Sequence, residues 1–255
     1  MNRKKLNDLE WLEFDLLANT GKVWHAVFLR SGGFSGGQFA SLNVCLEVGD
    51  VPENVNANLK CIQEHLKATI PAWNRLVGSN NVHGKALGLV DHKSPNLLPN
   101  CDGLLTQTPG ISIITQHADC QVALFYDPIN HAAATVHAGW RGSAVNIYAH
   151  AIAQMQHYFH SHPADLLVCI SPSLGPLKAE FINYRTELPQ IFWPFQVRPN
   201  YFDFWAISEW QLKEAGIQPE HIEVARISTY ENSADFFSYR RDRVTGRNAT
   251  CITLK

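Results

Sequence analysis

The sequence has no apolar run of about 18 residues or more, which argues against a membrane-spanning helix. Its first segment, MNRKKLNDLEWLEFDLL, lacks the apolar stretch and small-residue cleavage site of a secretory leader. Charge is sparse: charged residues make up 17% and the net charge is −2, so neither a nucleic-acid surface nor a membrane surface is expected. The six cysteines follow no disulfide framework and read as reduced thiols of a cytoplasmic protein. Cys61, Cys169 and Cys251 lie in helix or strand patterns, where a small buried hydrophobe is expected. The Gly-rich stretch Arg30-Ser31-Gly32-Gly33-Phe34-Ser35-Gly36-Gly37 is neither GxxxxGK[ST] nor GxGxxG, so the common nucleotide-loop signatures are missing. Internal repeats, low-complexity stretches and an obvious linker are missing too.

What is present is a globular composition, 45% hydrophobic over 255 residues, enough for one large domain or two small ones. Val23–Leu29 reads as a strand ending in the Ser31-Gly32-Gly33 turn. Pro52 opens a helix whose Val55, Leu59, Ile62 and Leu66 share one face. Leu76–Val82 and Ala86–Val90 read as strands flanking a turn at His83-Gly84. Short apolar runs follow at Gly103–Thr106, Ile111–Gln116, Val122–Tyr126 and Ala132–Val136, with Pro109-Gly110 and Asp127-Pro128 as turns. A helix is expected from about Ser143 to Phe159, a strand over Leu166–Ile170 and a second amphipathic helix over Asp203–Ala215. Ile222–Ile227, Phe236–Arg240 and Ala249–Leu254 read as closing strands. Strands outnumber helices, which favours mixed or antiparallel sheets covered by helices.

The chemistry concentrates at three turn-like points at the ends of apolar runs. They are Asn81-Val82-His83-Gly84, Ala118-Asp119-Cys120 and His137-Ala138-Gly139-Trp140-Arg141-Gly142. Two imidazoles and one thiol, His83, Cys120 and His137, suit a zinc ion with its fourth position open, the arrangement of a catalytic site. A buried cysteine and two hydrogen-bonded histidines can equally be core packing, and their separations match no short ligand motif. His117 lies three residues before Cys120, but in a strand the two do not share an alternating face, so it reads as support or a proton relay, not a ligand. The Gly139-Trp140-Arg141-Gly142 helix start offers N–H groups and a guanidinium to an anion. Arg141 could instead pair with Asp119. Arg240 and Arg241, in Phe236–Asp242, are either solvated arginines of a strand, partners of Asp102 or substrate contacts.

The order VHG, CDGLLTQTPG, HADC, HAGWRG, SPSLGP and FFSYRRDRVTGR resembles the YfiH/laccase-domain family. These are the multi-copper polyphenol oxidase, or "laccase-like", proteins now regarded as purine nucleoside phosphorylases. The likeness runs from the Arg30–Gly33 turn to the last strand. It implies an α/β fold of the α+β type, a single domain of layered mixed β-sheets flanked by helices over residues 23–255, after an N-terminal extension at 1–22. It implies that His83, Cys120 and His137 are both the metal ligands and the catalytic residues, with zinc bound or copper in its place. Arg141 becomes the phosphate contact, Arg30 and Asn43 further substrate or phosphate contacts, and Asp119, with His117, a support or proton relay. The implied reactions are phosphorolysis of adenosine, inosine, guanosine and methylthioadenosine, and deamination of adenosine. The implied partners are a purine nucleoside and phosphate, with neither nucleic acid nor membrane, for a monomer or homodimer. The chain departs from the family pattern at Asn81, usually Gln; at Leu177-Lys178, usually a Cys pair; at Ser228-Thr229, often Cys; and at Arg243, usually Gly.

Other chemistries compete. A multicopper oxidase needs paired histidines, and His160-Ser161-His162 is the single HxH. A blue-copper centre wants an axial Met, and the chain has only Met1 and Met155. Cys120 as nucleophile with His137 as base would make a hydrolase of esters or amides. A metal-binding module without catalysis is the remaining class. Members of the family have also been linked to editing of peptidoglycan precursors.

Overall fold

Apolar residues on both faces of the central strands make two sheets that stack on each other and are each covered by helices. The computed structural model describes all 255 residues. The first half contains β1 (Asn2–Leu6), β2 (Leu9–Glu13), α1 (Asp15–Ala18), β3 (Val23–Phe28), α2 (Pro52–Thr69), β4 (Arg75–Ser79), β5 (Gly88–Val90), β6 (Leu97–Leu98) and β7 (Gly103–Thr106). The centre contains β8 (Ile111–His117), β9 (Gln121–Asp127), β10 (Ala132–Ala138), α3 (Trp140–Ala144), α4 (Ile147–Phe159) and β11 (Leu167–Ile170). The last part contains α5 (Tyr184–Glu187), β12 (Gln196–Arg198), β13 (Tyr201–Phe202), α6 (Phe204–Glu214), β14 (Ile222–Val224), α7 (Tyr239–Asp242) and β15 (Asn248–Leu254).

A seven-stranded sheet runs β1-β2-β3-β15-β8-β4-β6, a six-stranded sheet runs β14-β11-β9-β10-β7-β5, and β12-β13 form a ribbon. Both large sheets are mixed: β8 pairs antiparallel to β15 and parallel to β4, while β11 pairs antiparallel to β9 and parallel to β14. The strand alternation sorts the core into layers. Val27, Ile113 and Ile252 of one sheet meet Leu104, Val122 and Leu124 of the other in a shared apolar cluster. The opposite faces carry Ala123, Phe125 and Val136 under α4, and Ala26, Ile114 and Cys251 under α2. This layered mixed α/β arrangement is the one expected. No helix is long and apolar enough to cross a membrane.

Several boundaries differ from expectation. Residues 1–22, set apart as an extension, are built into the fold: β1 pairs with β2, β2 with β3, and Trp11, Phe14 and Leu17 are buried. The helix expected from Ser143 is two, because Asn146 turns left-handed at φ 51° and its side chain accepts the Ala149 N–H to start α4. Phe236–Arg240 is not a strand. Phe236 and Phe237 are buried, and Ser238 accepts the Arg241 N–H, which starts the short α7 instead. The strand expected over Leu76–Val82 ends at Ser79, which leaves His83 in a loop.

Candidate metal centre

The two sheets end together at one edge, and the β8–β9 connection crosses from one to the other there. Asp119 makes that crossing at φ 75°, and Cys120 follows it. His137 comes from the end of β10. His83 sits in the loop after β4 at φ 58°, a left-handed conformation that is uncommon for a side-chain-bearing residue. The ligand atoms of His83, Cys120 and His137 all lie within 4.8 Å of one another, the one such group of three in the chain. Cys120 Sγ is 3.9 Å from His83 Nε2. Tetrahedral zinc separates its nitrogen and sulfur ligands by about 3.5 Å, given bonds of about 2.0 and 2.3 Å, so the trio fits one ion with little movement.

Asp102 organises the trio. Its buried carboxylate accepts the backbone N–H groups of Val82 (3.3 Å), His83 (2.8 Å) and Gly84 (2.7 Å), which pins the strained His83 loop. It also accepts the His137 Nδ1–H at 3.0 Å. That bond fixes the tautomer and leaves His137 Nε2 to face Cys120, the usual support behind a metal-bound imidazole. Burial alone would raise the Asp102 carboxyl, but its bonds from His137, Gly84 and His83 outweigh it and hold the group below the ordinary value. Burial would likewise raise the Cys120 thiol. The charge and hydrogen bonds of His137, with the contact to His83, overcome this and bring it to about 6. His137 is correspondingly raised against its own burial by Cys120 and Asp102. The thiolate needed for metal ligation is therefore available at neutral pH.

Gly139 closes the floor of the centre. A Cβ on it would stand 2.9 Å from His83 Cδ2 and 3.2 Å from Cys120 Sγ. The missing side chain is what leaves room for an ion between those two residues.

A cleft of about 300 Å³ opens from the trio. Trp140, Phe181, Phe204 and Tyr239 line it together with Arg141, Arg240 and Arg243. Phe181 lies 6.0 Å from Trp140 and 5.3 Å from Phe204, ring centroid to centroid, giving a continuous aromatic wall. A second cavity of about 460 Å³ touches His83, Cys120 and His137 from the other side, lined by Glu47, Asn81, Gln116 and Arg247.

The remaining expected residues divide. Arg141 is in the cleft, its guanidinium 4.4 Å above the Trp140 ring and not paired with Asp119. Asp119 is there as well, but its oxygens accept the Thr229 hydroxyl at 2.6 Å and the Arg240 N–H at 2.5 Å. His117 is turned into the sheet. Its Nδ1–H donates to the Cys120 carbonyl at 3.1 Å and Nε2 accepts the Thr250 hydroxyl at 2.8 Å. Burial pushes its pKa to about 3, so the ring stays neutral, and its two bonds fix the Cys120 turn. Asn43 is fully buried and away from the cleft, bonded to Cys45, Asp50 and the Arg247 N–H. Arg30 donates to the carbonyls of Ala40 and Ser233, stacks 4.4 Å over Phe237, and borders a different cavity. Arg241 donates to the Thr229, Tyr230 and Phe236 carbonyls and to Asp242, and Asp102 takes His137 in its place. At the departures from the family pattern, Asn81 still reaches the Gln116 carbonyl at 2.8 Å, and Thr229 holds Asp119.

The sequence reading missed three contributions: the buried carboxylate of Asp102, the open space at Gly139 and the wall made by Phe181 and Phe204. Asp102 lies in the CDGLLTQTPG stretch, where a lone acid before an apolar strand is the one available signal.

Known proteins resemble this chain in sequence and fold. A family model described as multi-copper polyphenol oxidoreductase laccase matches residues 24–255. A protein of Bacteroides thetaiotaomicron named purine nucleoside phosphorylase is 28% identical over 248 residues, 92% of each chain. Geobacillus stearothermophilus YlmD, also named purine nucleoside phosphorylase, is 32% identical over 86% of this chain and 85% of its own. Its crystal structure superposes with a TM-score of 0.86, covering 99% of this chain and 98% of that one. The crystal structure of a Bacillus licheniformis protein called YfiH gives 0.87 at 25% identity, covering 99% of both chains. A matched family model over nearly the whole chain, together with this sheet arrangement, places the chain in the multi-copper polyphenol oxidoreductase laccase family, alongside the YfiH and YlmD proteins.

Proposed function

We propose that the chain is a zinc-dependent purine nucleoside phosphorylase that takes adenosine, inosine, guanosine and methylthioadenosine, and that it also deaminates adenosine. The observation that carries this reading is the convergence of a three-ligand centre, an aromatic wall and unpaired arginines in one cleft. A flat heteroaromatic base suits Trp140, Phe181 and Phe204, and a phosphate suits Arg141. His83, Cys120 and His137 would hold the metal. A zinc ion there supplies Lewis acidity and lowers the pKa of bound water. Asp102 keeps the proton on His137 Nδ1 and the His83 loop in place. Arg141 holds phosphate toward the ribose anomeric carbon, where the phosphate's own negative charge stabilises the oxocarbenium-like state. The aromatic residues exclude water from the base and fix its plane. Asp119, at the cleft wall, is the candidate to hold a proton during deamination.

Copper-dependent phenol oxidation is the alternative that the family description names. The donor set does not favour it. The chain has one cluster of three such ligands, and Met155, itself on α4, is buried among apolar residues and not beside Cys120. Stripping metal with a chelator and restoring it separates the two. Zinc should restore adenosine turnover. Restoration of phenol oxidation by copper alone, with adenosine untouched, would overturn the proposal.

A further inference from the structure

Arg141, Arg240 and Arg243 all line the aromatic cleft, and none takes part in an ion pair with a carboxylate. The one carboxylate among the cleft residues, Asp119, is already bonded to the Thr229 hydroxyl and the Arg240 N–H. Arg240 spends two guanidinium N–H groups on the single Glu180 carbonyl, both at 3.3 Å, and keeps the rest. Arg243 is exposed, with its guanidinium 5.7 Å from the Tyr239 ring centroid.

The backbone at Arg243 adds a second observation. It stands at φ 61°, ψ −60°, and the Val244 N–H bonds back to the Asp242 carbonyl at 2.7 Å. That is a γ-turn of the rare, strained hand, which glycine adopts far more readily. Strain held by an arginine at the rim of a cleft is the kind that function maintains. One inorganic phosphate engaged by Arg141 leaves two guanidinium groups without an anion.

We infer that Arg240 and Arg243 form a seat for a phosphomonoester carried by the ligand, so that the cleft binds a nucleoside 5′-monophosphate more tightly than the nucleoside. This rests on the nucleoside reading above. With the base on the aromatic wall and the anomeric carbon toward Arg141, the ribose 5′ position is the natural point for a second anion. Guanidinium groups bind such a dianion with paired, charge-assisted hydrogen bonds.

The test is calorimetric binding of adenosine, adenosine 5′-monophosphate and inorganic phosphate to the zinc-loaded protein and to its Arg243→Gly variant. Glycine relieves the turn, so the variant should fold. The monophosphate should bind about 10-fold or more tighter than adenosine, since each hydrogen bond to a charged group contributes on the order of a 10–100-fold change. That preference should collapse in Arg243→Gly and weaken with salt. A monophosphate that binds no tighter than adenosine overturns the inference and leaves the nucleoside reading standing. So does a preference that survives in Arg243→Gly. Inorganic phosphate binding as tightly as the monophosphate overturns it too, since the seat would then serve free phosphate. If neither adenosine nor the monophosphate binds, the nucleoside reading falls and this inference with it.

Discussion

Gly139→Ala should remove metal binding without removing a ligand. The backbone at Gly139 has φ −74° and ψ 173°, which alanine adopts freely. The new methyl would stand 2.9 Å from His83 Cδ2, 3.2 Å from Cys120 Sγ and 3.6 Å from His83 Nε2. Ordinary carbon contacts need about 3.5–4.0 Å, so His83 must retreat by roughly 0.6–1 Å. His83 is exposed and can move at little expense to the fold. A metal site tolerates only about 0.2 Å in its ligand distances. The strain therefore falls on the metal. Zinc affinity should drop by at least about 10–100-fold, the range seen when groups supporting a ligand are lost. Loss of stability should stay below the about 1–3 kcal/mol of an overpacked core. The assay is zinc competition against a chromophoric chelator, with thermal unfolding of the metal-free protein as control. Gly142→Ala is the matched comparison, because its Cβ meets Ile147 at an ordinary 3.6 Å. Wild-type zinc affinity in a folded Gly139→Ala would refute the assignment, as would equal losses in both variants.

His83→Ala should lower zinc content from about one per chain to near zero by elemental analysis. Arg141→Ala should raise the phosphate concentration needed for phosphorolysis while sparing deamination, and equal loss of both activities would mark it as structural. Asp102→Asn should weaken zinc binding about 10–100-fold, because an amide cannot accept from His137 and the loop N–H groups as a carboxylate does. His25, far from the site, gives a pH prediction. Burial and the Lys255 charge lower its pKa from 6.5 to about 4, and its neutral Nε2 accepts the Phe14 N–H. The unfolded chain then binds the extra proton between those values. Stability is full above pH 6.5, falls as pH drops toward about 4 by up to roughly 3 kcal/mol, and levels off below. His25→Gln should make that acid limb shallower by about one proton in denaturant titrations, and an unchanged slope would contradict the buried-histidine account.

The clustering of His83, Cys120 and His137 was legible because each ends an apolar run beside a glycine or an acid, where strands deliver side chains to a sheet edge. The layered sheets were legible from the runs themselves, since strands buried on both faces read as continuous apolar segments. The rest required long-range pairing. Asp102 acts on His83 and His137 from a position whose partners no local pattern names. Phe181 and Phe204 become a wall only when the segments carrying them meet Trp140. Arg30 and Asn43, which only the family resemblance marked as contacts, spend their side chains on protein groups: Arg30 on the Ala40 and Ser233 carbonyls, Asn43 on Cys45 and Asp50. The break at Asn146 was hidden because the apolar spacing of α4 continues back past it, and only its left-handed backbone ends the register.

The central claim is that this metal centre and cleft act on a purine nucleoside, and adenosine incubated with and without phosphate tests it most directly. With phosphate, the zinc-loaded protein should release adenine and ribose 1-phosphate. Inosine should form whether phosphate is present or not, and hypoxanthine should follow from it only when phosphate is added. Chelation or Cys120→Ser should abolish all of these products. Adenosine left intact under every condition, by folded and zinc-loaded protein, would contradict the account.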